Sequence, residues 1–151
     1  MIDYFEDLRV GQIFRAGPIL VTRERIISFA EEFDPQGMHL GEEQAVGTLA
    51  GELIASGWHT GAVTMRLLID GACPRFQGQG IGAGVDGLSW PNPVRPGDEL
   101  SAESEILDLR RSKSNPRRGV MRIKITTMQQ DGKPVQIYTA TMIVPCRTDG
   151  S

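Results

Sequence analysis

An acidic and an imidazole side chain lie five positions apart in the segment FDPQGMHL, residues 33–40. An aspartate beside a histidine can position and deprotonate a water molecule, because imidazoles titrate near neutral pH and carboxylates accept protons. On a single helix, however, residues five apart do not face each other. Asp34 and His39 can therefore share a pocket only if the chain leaves the helix between them.

Pro35 and Gly37 are the residues that would turn the chain between these two candidates. Pro35 pushes Asp34 out of the helical region, so the preceding amphipathic helix should end near Phe33. Gly37 would let the chain turn back, with Gln36 as a polar neighbour in the same pocket. An ordinary surface loop, in which Asp34 caps the next short helix, explains the same spacing, since short motifs are weak evidence.

A second segment, IASGWHTG at residues 54–61, places Gly57 at the start of a longer helix predicted over residues 57–68. Free N–H groups at a helix N-terminus can hold an anion or a polarised carbonyl oxygen. Gly57 is therefore a candidate oxyanion donor, although so small a residue would also permit tight helix packing. His59 is predicted to pack inside the protein, and Trp58 to belong to the core or to a pocket wall.

Composition excludes several classes of function. The chain has 151 residues, 40% of them apolar and 23% charged, which is typical of one globular domain spanning 1–151. A net charge of -3 gives no field that attracts nucleic acid. No apolar run approaches the ~20 residues that cross a bilayer, and no signal peptide is recognisable, so a cytoplasmic location is predicted. Cys73 and Cys146 lack CxxC spacing, which favours free thiols, and the two histidines lie too far apart to suggest a metal site.

The pattern of apolar residues changes near Gly71. Before it lie an early strand and three helical patterns, the first behind Thr22 as an N-cap. After it the period becomes two, and Asp131-Gly132 is typical of a hairpin between the last two strands. We predict an α+β domain in which a four-stranded antiparallel meander wraps the long helix. The predicted strands are 13–21, 80–90, 99–111, 121–126 and 135–143, and the predicted helices end near 33, 46 and 68.

The sequence resembles the MaoC-like dehydratases, relatives of the R-specific enoyl-CoA hydratases, which adopt the hot-dog fold. The resemblance covers four separated segments: FAEEFDPQGMHL, IASGWHT, WPNPVRPGDEL and RRSKSNPRRG. The family's active loop has the form D-x-N-P-x-H, which Asp34 and His39 match at its catalytic ends. Gln36 and Gly37 replace the inner Asn and Pro; Gln36 keeps the amide, whereas Gly37 is expected to loosen the turn.

The resemblance implies a hydro-lyase acting on an enoyl-CoA or 3-hydroxyacyl-CoA thioester, with no cofactor besides the substrate's own coenzyme A. Asp34 would take a proton from a water held jointly with His39, and the N–H of Gly57 would hold the enolate oxygen. The protonated member of the pair or the water itself would return a proton to C2.

The same resemblance implies substrate contacts and an assembly. Basic side chains that follow the third long strand would meet the phosphates of coenzyme A, or would simply be solvated. A homodimer or a dimer of dimers is expected, because a single sheet leaves open edges. The substrate-binding candidates are Gln36, Trp58, Arg110, Lys113 and Arg117, with Met65 and Leu68 as further candidates for the acyl tunnel.

Two other functions remain open on the sequence. A hot-dog thioesterase would use a carboxylate and a bound water to attack the thioester carbonyl, although the D-x-x-x-x-H loop resembles the hydratase arrangement. A noncatalytic acyl-thioester-binding module would keep the fold and lose the chemistry. Gly37 in the active loop keeps this second alternative open.

Overall fold

The computed structural model describes residues 2, 4–77 and 79–148, which form a five-stranded sheet and a set of helices. Among these residues, no helix has the length and hydropathy needed to span a bilayer. A π-helical turn over Leu68–Ala72 continues the last helix. The helices are α1 (Arg23–Phe33), α2 (Gly37–Leu40), α3 (Glu42–Val46) and α4 (Gly57–Leu67). The strands are β1 (Ile13–Leu20), β2 (Ile81–Ser89), β3 (Glu99–Arg111), β4 (Arg118–Met128) and β5 (Pro134–Pro145).

The strands form one antiparallel sheet in the order β1-β3-β4-β5-β2. The predicted meander is wrong at one position, because β2 pairs with β5 and not with β3, and so lies at the opposite edge from β1. The proline-rich residues 90–98, called the crossover segment below, carry the chain from β2 to β3. Alternating patterns identify strands without identifying their partners, so this crossover has no signal in the sequence.

Helix α4 packs against one face of the sheet and contacts β1, β3 and β5. Its residues Thr64 and Leu67 are completely buried, as are Ile106 of β3 and Ile123 of β4. The sheet therefore encloses the helix around one apolar core. This arrangement confirms the α+β class and the hot-dog fold, with an antiparallel sheet wrapped around a long helix.

The residue of β5 that contacts α4 through a hydrogen bond is the polar Gln136, which lies between the apolar residues of the alternating pattern. The pattern groups Val135 with Ile137, yet Gln136 between them is only 1% exposed. The amide of Gln136 donates a hydrogen bond to the hydroxyl of Thr64 at 3.1 Å. Gly61, which has no side chain, leaves room beside it. Gln136 therefore belongs to the face of β5 that meets α4, together with the buried Ala140 and Val144.

Helix α1 begins and ends where the sequence predicts. Thr22 accepts a hydrogen bond from the N–H of Arg25 at 3.2 Å and so caps the N-terminus. Ile26 is fully buried, whereas Phe33 is 66% exposed. Phe33 lies at the end of the helix, where its ring contacts that of Phe29, with centroids 5.1 Å apart.

Candidate active site

The end of α1 and the short helix α2 bring Asp34 and His39 together. Oδ2 of Asp34 lies 3.5 Å from Nε2 of His39. The two side chains are only 17% and 7% exposed, respectively. The structure therefore places an acid and an imidazole side by side in a largely desolvated position, across a bend in the chain.

The bend is a tight turn followed by one helical turn, and not the open loop that the sequence predicts. The N–H of Gln36 donates to the carbonyl of Asp34 at 2.8 Å, and the N–H of His39 to that of Gln36 at 2.9 Å. A Cβ at Gly37 would lie 2.9 Å from the carbonyl oxygen of Gln44. Gly37 thus allows α2 to pack closely on α3. The expectation that Gly37 loosens the turn stays a prediction.

The hydrogen bond of His39 fixes its tautomer. Nδ1 lies 2.7 Å from the carbonyl oxygen of Ile54, and since a carbonyl only accepts, Nδ1 must carry a proton. In the neutral imidazole, Nε2 then has a free lone pair, and Nε2 is the atom that faces Asp34. The backbone of Ile54 is itself held by Met38, whose carbonyl accepts the Ile54 N–H at 2.9 Å. The imidazole is therefore presented as a proton acceptor.

Two side chains hold Asp34 in its ionised form. Ser56 Oγ donates to Oδ2 and Gln36 Nε2 donates to Oδ1, each at 2.6 Å. The hydrogen bond from Ser56, then that from Gln36, and to a smaller extent the nearby His39, lower the pKa of Asp34 below its ordinary value, against the opposing effect of partial burial. Gln36 therefore contacts the carboxylate itself, and Ser56 is a site residue that no sequence motif indicates.

Ser56 also positions the start of α4. Its Oγ accepts a hydrogen bond from the N–H of Trp58 at 3.3 Å, as a helix N-cap does. One hydroxyl thus connects the helix N-terminus to the carboxylate of Asp34. Within the described residues, the N–H of Gly57 has no hydrogen-bond acceptor. It is available to a ligand atom, as the first N–H groups of a helix commonly are.

Trp90, at the start of the crossover segment, forms the wall beside Gly57. A Cβ added to Gly57 would lie 2.6 Å from Cε2 of the indole, so the ring rests directly on the glycine. Nε1 of Trp90 donates to Gln136 at 2.9 Å, and Gln136 in turn donates to Thr64. The glycine therefore leaves its N–H free and also permits close packing, the two roles that the sequence allows for it.

A cavity of about 290 Å³ opens beside these groups. His39, Gly57, Trp90 and Val135 are among the residues that line it. A larger apolar groove of about 700 Å³ lies further along α4 next to β2, and it has no lining residue in common with the cavity. We assign the chemistry to the smaller cavity, because His39 and Gly57 line it and the carboxylate of Asp34 lies 3.5 Å from His39.

The predicted basic contacts lie far from this cavity in the same chain. Arg110 lies near the end of β3, and Lys113 and Arg117 lie in the connection between β3 and β4; all three are exposed. This β3–β4 hairpin lies at one end of the sheet, where Arg111 pairs with Gly119. The cavity lies at the other end, where β5 begins.

The apolar candidates are divided between two surfaces. Trp58 is not a core residue, because it is 61% exposed and meets Trp90 edge-on, with ring centroids 5.2 Å apart. Met65 and Leu68 line the larger groove and do not line the cavity.

Three further ionisable residues, His59, Cys73 and Cys146, lie outside the site. His59 stacks on Phe29 at 4.9 Å, which confirms that it packs inside the protein, and burial lowers its pKa. Its Nδ1 has no hydrogen-bond partner in the described part of the chain. Cys73 and Cys146 are free, as predicted, and burial raises the pKa of Cys73 to about 11, which keeps the thiol protonated. The described residues contain no cluster of three or more potential metal ligands.

Comparison with known proteins identifies similar chains. The model of the MaoC like domain matches residues 7–129. The Bacillus subtilis protein YdeM is 33% identical over 144 residues, which cover 92% of this chain and 95% of YdeM. The crystal structure of the MaoC-like dehydratase from Rhodospirillum rubrum is 47% identical, with a TM-score of 0.91 over 96% of this chain and 98% of that one. The unliganded R-hydratase PhaJ1 from Pseudomonas aeruginosa is 25% identical, with a TM-score of 0.75 over 97% and 88% of the two chains.

Proposed function

Because the chain belongs to the MaoC-like domain family, we propose that it adds water across the 2,3 double bond of an enoyl-CoA thioester, or removes it from the corresponding 3-hydroxyacyl thioester. One observation carries the proposal: His39 and Gly57 line the same cavity, and Oδ2 of Asp34 lies 3.5 Å from Nε2 of His39. The similarity to a solved R-hydratase supports the same class of reaction.

A water molecule bound by the pair would be oriented by both side chains. Asp34 is ionised and Nε2 of His39 has a lone pair, so each accepts one hydrogen from the same water. The water oxygen then keeps its own lone pairs for attack on C3 of the substrate. Two acceptors that share one water stand about 4.5 Å apart, so the pair would open by about 1 Å when the water binds.

The imidazole is the better proton acceptor of the two. Hydrogen bonds from Ser56 and Gln36 lower the pKa of Asp34, which makes the carboxylate a weaker base, whereas the hydrogen bond of His39 Nδ1 to Ile54 leaves a lone pair on Nε2 of the neutral imidazole. We therefore assign removal of the water's proton to His39, while Asp34 orients the water and stabilises the imidazolium. This division reverses the one expected from the sequence. The same proton would return from His39 to C2, so one water supplies both the hydroxyl and the hydrogen.

The start of α4 would stabilise the charge that develops during addition. Attack at C3 moves electrons onto the thioester carbonyl oxygen, and the N–H of Gly57 would donate a hydrogen bond to it. Preorganised donors of this kind contribute about 3 to 4 kcal/mol to the transition state. The indole of Trp90, packed on Gly57, prevents the donor from moving.

Incubation with crotonyl-CoA tests the reaction. Hydration predicts loss of the enoyl absorbance and formation of a 3-hydroxyacyl-CoA, without release of thiol. Free thiol would instead identify a thioesterase, and saturable binding without turnover would identify a binding module; either result contradicts the proposal. A mock preparation from cells that do not express the chain, purified in parallel, is the control for a contaminating enzyme. Longer and branched enoyl-CoAs then define the acyl range.

A further inference from the structure

The catalytic cavity and the larger groove follow each other along one face of α4. Four positions spaced three or four apart lie on the same side of this helix: Gly57, Thr60, Thr64 and Leu68. Gly57 and Thr60 line the cavity, and Leu68, in the turn that continues the helix, lines the groove. Thr64 lies between them and lines neither space. Thr64 therefore marks the boundary between the cavity and the groove on the helix.

The sheet shows the same order on the side that faces α4. On β5, Val135 lines the cavity and Tyr138 lines the groove. Gln136 lies between them, on the same face of the strand as Tyr138, because side chains two apart point to the same side. On β4, Thr127 is paired directly with Gln136, and Ile125, two positions earlier, lines the groove. Polar residues therefore lie between the two spaces on the sheet as well.

These polar residues are joined by hydrogen bonds into one layer with Trp90. Nε1 of Trp90 donates to Oε1 of Gln136 at 2.9 Å, and Nε2 of Gln136 donates to Oγ1 of Thr64 at 3.1 Å. The hydroxyls of Thr64 and Thr127 are 2.7 Å apart. Thr64 already donates its single hydrogen to the carbonyl of Thr60, so Thr127 is the donor to Thr64. The four residues Thr64, Trp90, Thr127 and Gln136 are called the polar layer below.

We propose that the polar layer closes the acyl end of the catalytic cavity and so restricts the substrate to short-chain enoyl thioesters. In this arrangement the apolar groove, with Met65 and Leu68, lies beyond the layer and does not receive the acyl chain. The inference rests on the proposed function, since it concerns the acyl group of that substrate.

The distance from the oxyanion donor to the layer sets the acyl length. The substrate carbonyl would lie at the N–H of Gly57, and Thr64 is seven positions further along α4, which is about 10 Å at about 1.5 Å per residue. Contact with the side chains of the layer occupies about 4 Å of this distance. The remaining length, about 6 Å, holds about five more carbons at about 1.3 Å each, from the length of a C–C bond. We therefore expect acyl groups of up to about six carbons to fit.

Hydrogen bonding makes the layer a firmer stop than an apolar wall would be. Thr64 and Thr127 are completely buried and Gln136 is 1% exposed, so water cannot replace a partner that is lost. An acyl chain that displaced Gln136 would leave the indole N–H of Trp90 and the hydroxyl of Thr64 without their bonds to it. An unpaired buried polar group is unfavourable, whereas apolar side chains can repack around an added methylene. The layer therefore discriminates against long chains through the bonds that they would break.

The dependence of kcat/KM on acyl length tests the proposal. Crotonyl-, hexenoyl-, octenoyl- and dodecenoyl-CoA form the substrate series. For the wild type we expect kcat/KM to fall at least about tenfold between hexenoyl-CoA and dodecenoyl-CoA. Gln136→Ala removes the amide from the layer and joins the cavity to the groove, where further methylenes can be buried. It should raise the ratio of kcat/KM for dodecenoyl-CoA to that for crotonyl-CoA at least about tenfold.

A second variant opens the layer from another side. Trp90→Ala removes the indole and should raise the same ratio at least about tenfold. Because the indole also packs on Gly57, kcat should fall for every substrate, so the ratio between substrates is the quantity to compare. Thr127→Val is the matched control, since it removes one hydrogen bond of the layer but keeps its shape. Its dependence on acyl length should equal that of the wild type.

Three results would overturn the proposal. A wild type that hydrates dodecenoyl-CoA as efficiently as crotonyl-CoA would show that the cavity is not closed. An unchanged ratio in both opened variants, each folded by circular dichroism, would show that another part of the chain sets the limit. A ratio raised equally in Thr127→Val would indicate general loosening of the core. The wild-type series tests the proposal even if a variant does not fold.

Failure of the proposed reaction is distinguishable from failure of this inference. Butyryl-CoA and decanoyl-CoA lack the double bond, so calorimetry measures their binding whether or not the protein is a hydratase. The wild type should bind decanoyl-CoA no more tightly than butyryl-CoA, because the added methylenes find no space. Gln136→Ala should bind decanoyl-CoA at least about tenfold more tightly than the wild type does. Equal affinities of the two proteins for decanoyl-CoA would overturn the inference, even with crotonyl-CoA hydration established.

Discussion

The two ends of the sheet hold their polar groups in different ways. At the cavity end, His39, Ser56 and Gln136 are buried, and each has a specific hydrogen-bond partner. At the hairpin end, exposed charges form surface ion pairs, such as that of Arg111 with Glu6. Loss of a buried partner costs about 1–3 kcal/mol, whereas an exposed pair contributes about 0–1 kcal/mol. The cavity end is therefore held by specific buried hydrogen bonds, and the hairpin end by weaker, exposed ion pairs.

We expect the largest effect on kcat from substitution of the reactive pair, Asp34 and His39. Asp34→Asn and His39→Ala should each fold normally and lose at least ~100-fold in kcat, because each removes an acid or base from the reaction. Hydration of crotonyl-CoA measures the rate, and circular dichroism during thermal unfolding checks the fold. Near-wild-type kcat in either variant would remove that residue from the mechanism.

A methyl group at the start of α4 should have the next largest effect. In Gly57→Ala the new Cβ meets the indole of Trp90 at 2.6 Å, so the helix start or the ring must move. We expect kcat to fall about 10- to 100-fold, as small misplacements of catalytic groups do. A second substitution, Trp90→Phe, makes room for the methyl group and should restore part of the rate. Full activity in Gly57→Ala would mean that this N–H is not the oxyanion donor.

Ser56 connects Asp34 to the start of α4, and its removal should change how the free energy of unfolding depends on pH. Ser56→Ala removes the main cause of the lowered pKa of Asp34, so the pKa rises toward its ordinary value of 3.8. The pKa of Asp34 is lower in the folded protein than in the unfolded chain. The ionised carboxylate therefore stabilises the fold fully above its ordinary pKa, and this stabilisation is lost as the pH falls through the folded-state pKa. Urea unfolding should show a wild-type advantage of about 1–3 kcal/mol at pH 7 that shrinks below about pH 4.

Thr22→Ala is the matched control for this serine, because it removes an N-cap that contacts no carboxylate. Its destabilisation of about 1 kcal/mol should stay nearly constant with pH. If Ser56→Ala also gave a difference independent of pH, the hydrogen bond to Asp34 would not be the cause of the pKa shift.

The smallest effect is expected at an ion pair of the hairpin end. Arg147 contacts Asp7 at 2.7 Å and is half exposed. Arg147→Gln should change the free energy of unfolding by less than about 1 kcal/mol, and 1 M salt should abolish the difference. Its kcat should equal that of the wild type. A loss similar to that of Ser56→Ala would show that the two ends are not held differently.

The sequence identifies the reactive pair because its chemistry depends on residue type and local spacing. Pro35 ends α1, and the next few residues return the chain, so the local backbone brings Asp34 and His39 close together. The N-terminus of α4 is equally local, since its donor follows from the helix start. The same local argument fails at Gly37, whose role depends on a carbonyl of the neighbouring helix α3.

The surroundings of the pair could not be predicted, because they arise from long-range packing. Trp90 and Gln136 lie 46 positions apart and meet only because β2 pairs with β5. The sequence shows that both strands exist, but not that they are neighbours. Ser56 reaches Asp34 across 22 positions, and nothing in its local sequence distinguishes it from an ordinary N-cap.

The central claim is that Asp34 and His39 act as a unit on one water molecule. The most direct test compares kcat of the wild type, Asp34→Asn, His39→Ala and the double variant with crotonyl-CoA. If the pair is a unit, loss of either member already removes its contribution, so the double variant should be no more than about threefold slower than the slower single variant. Losses that multiply in the double variant would show two independent contributions and would contradict the claim.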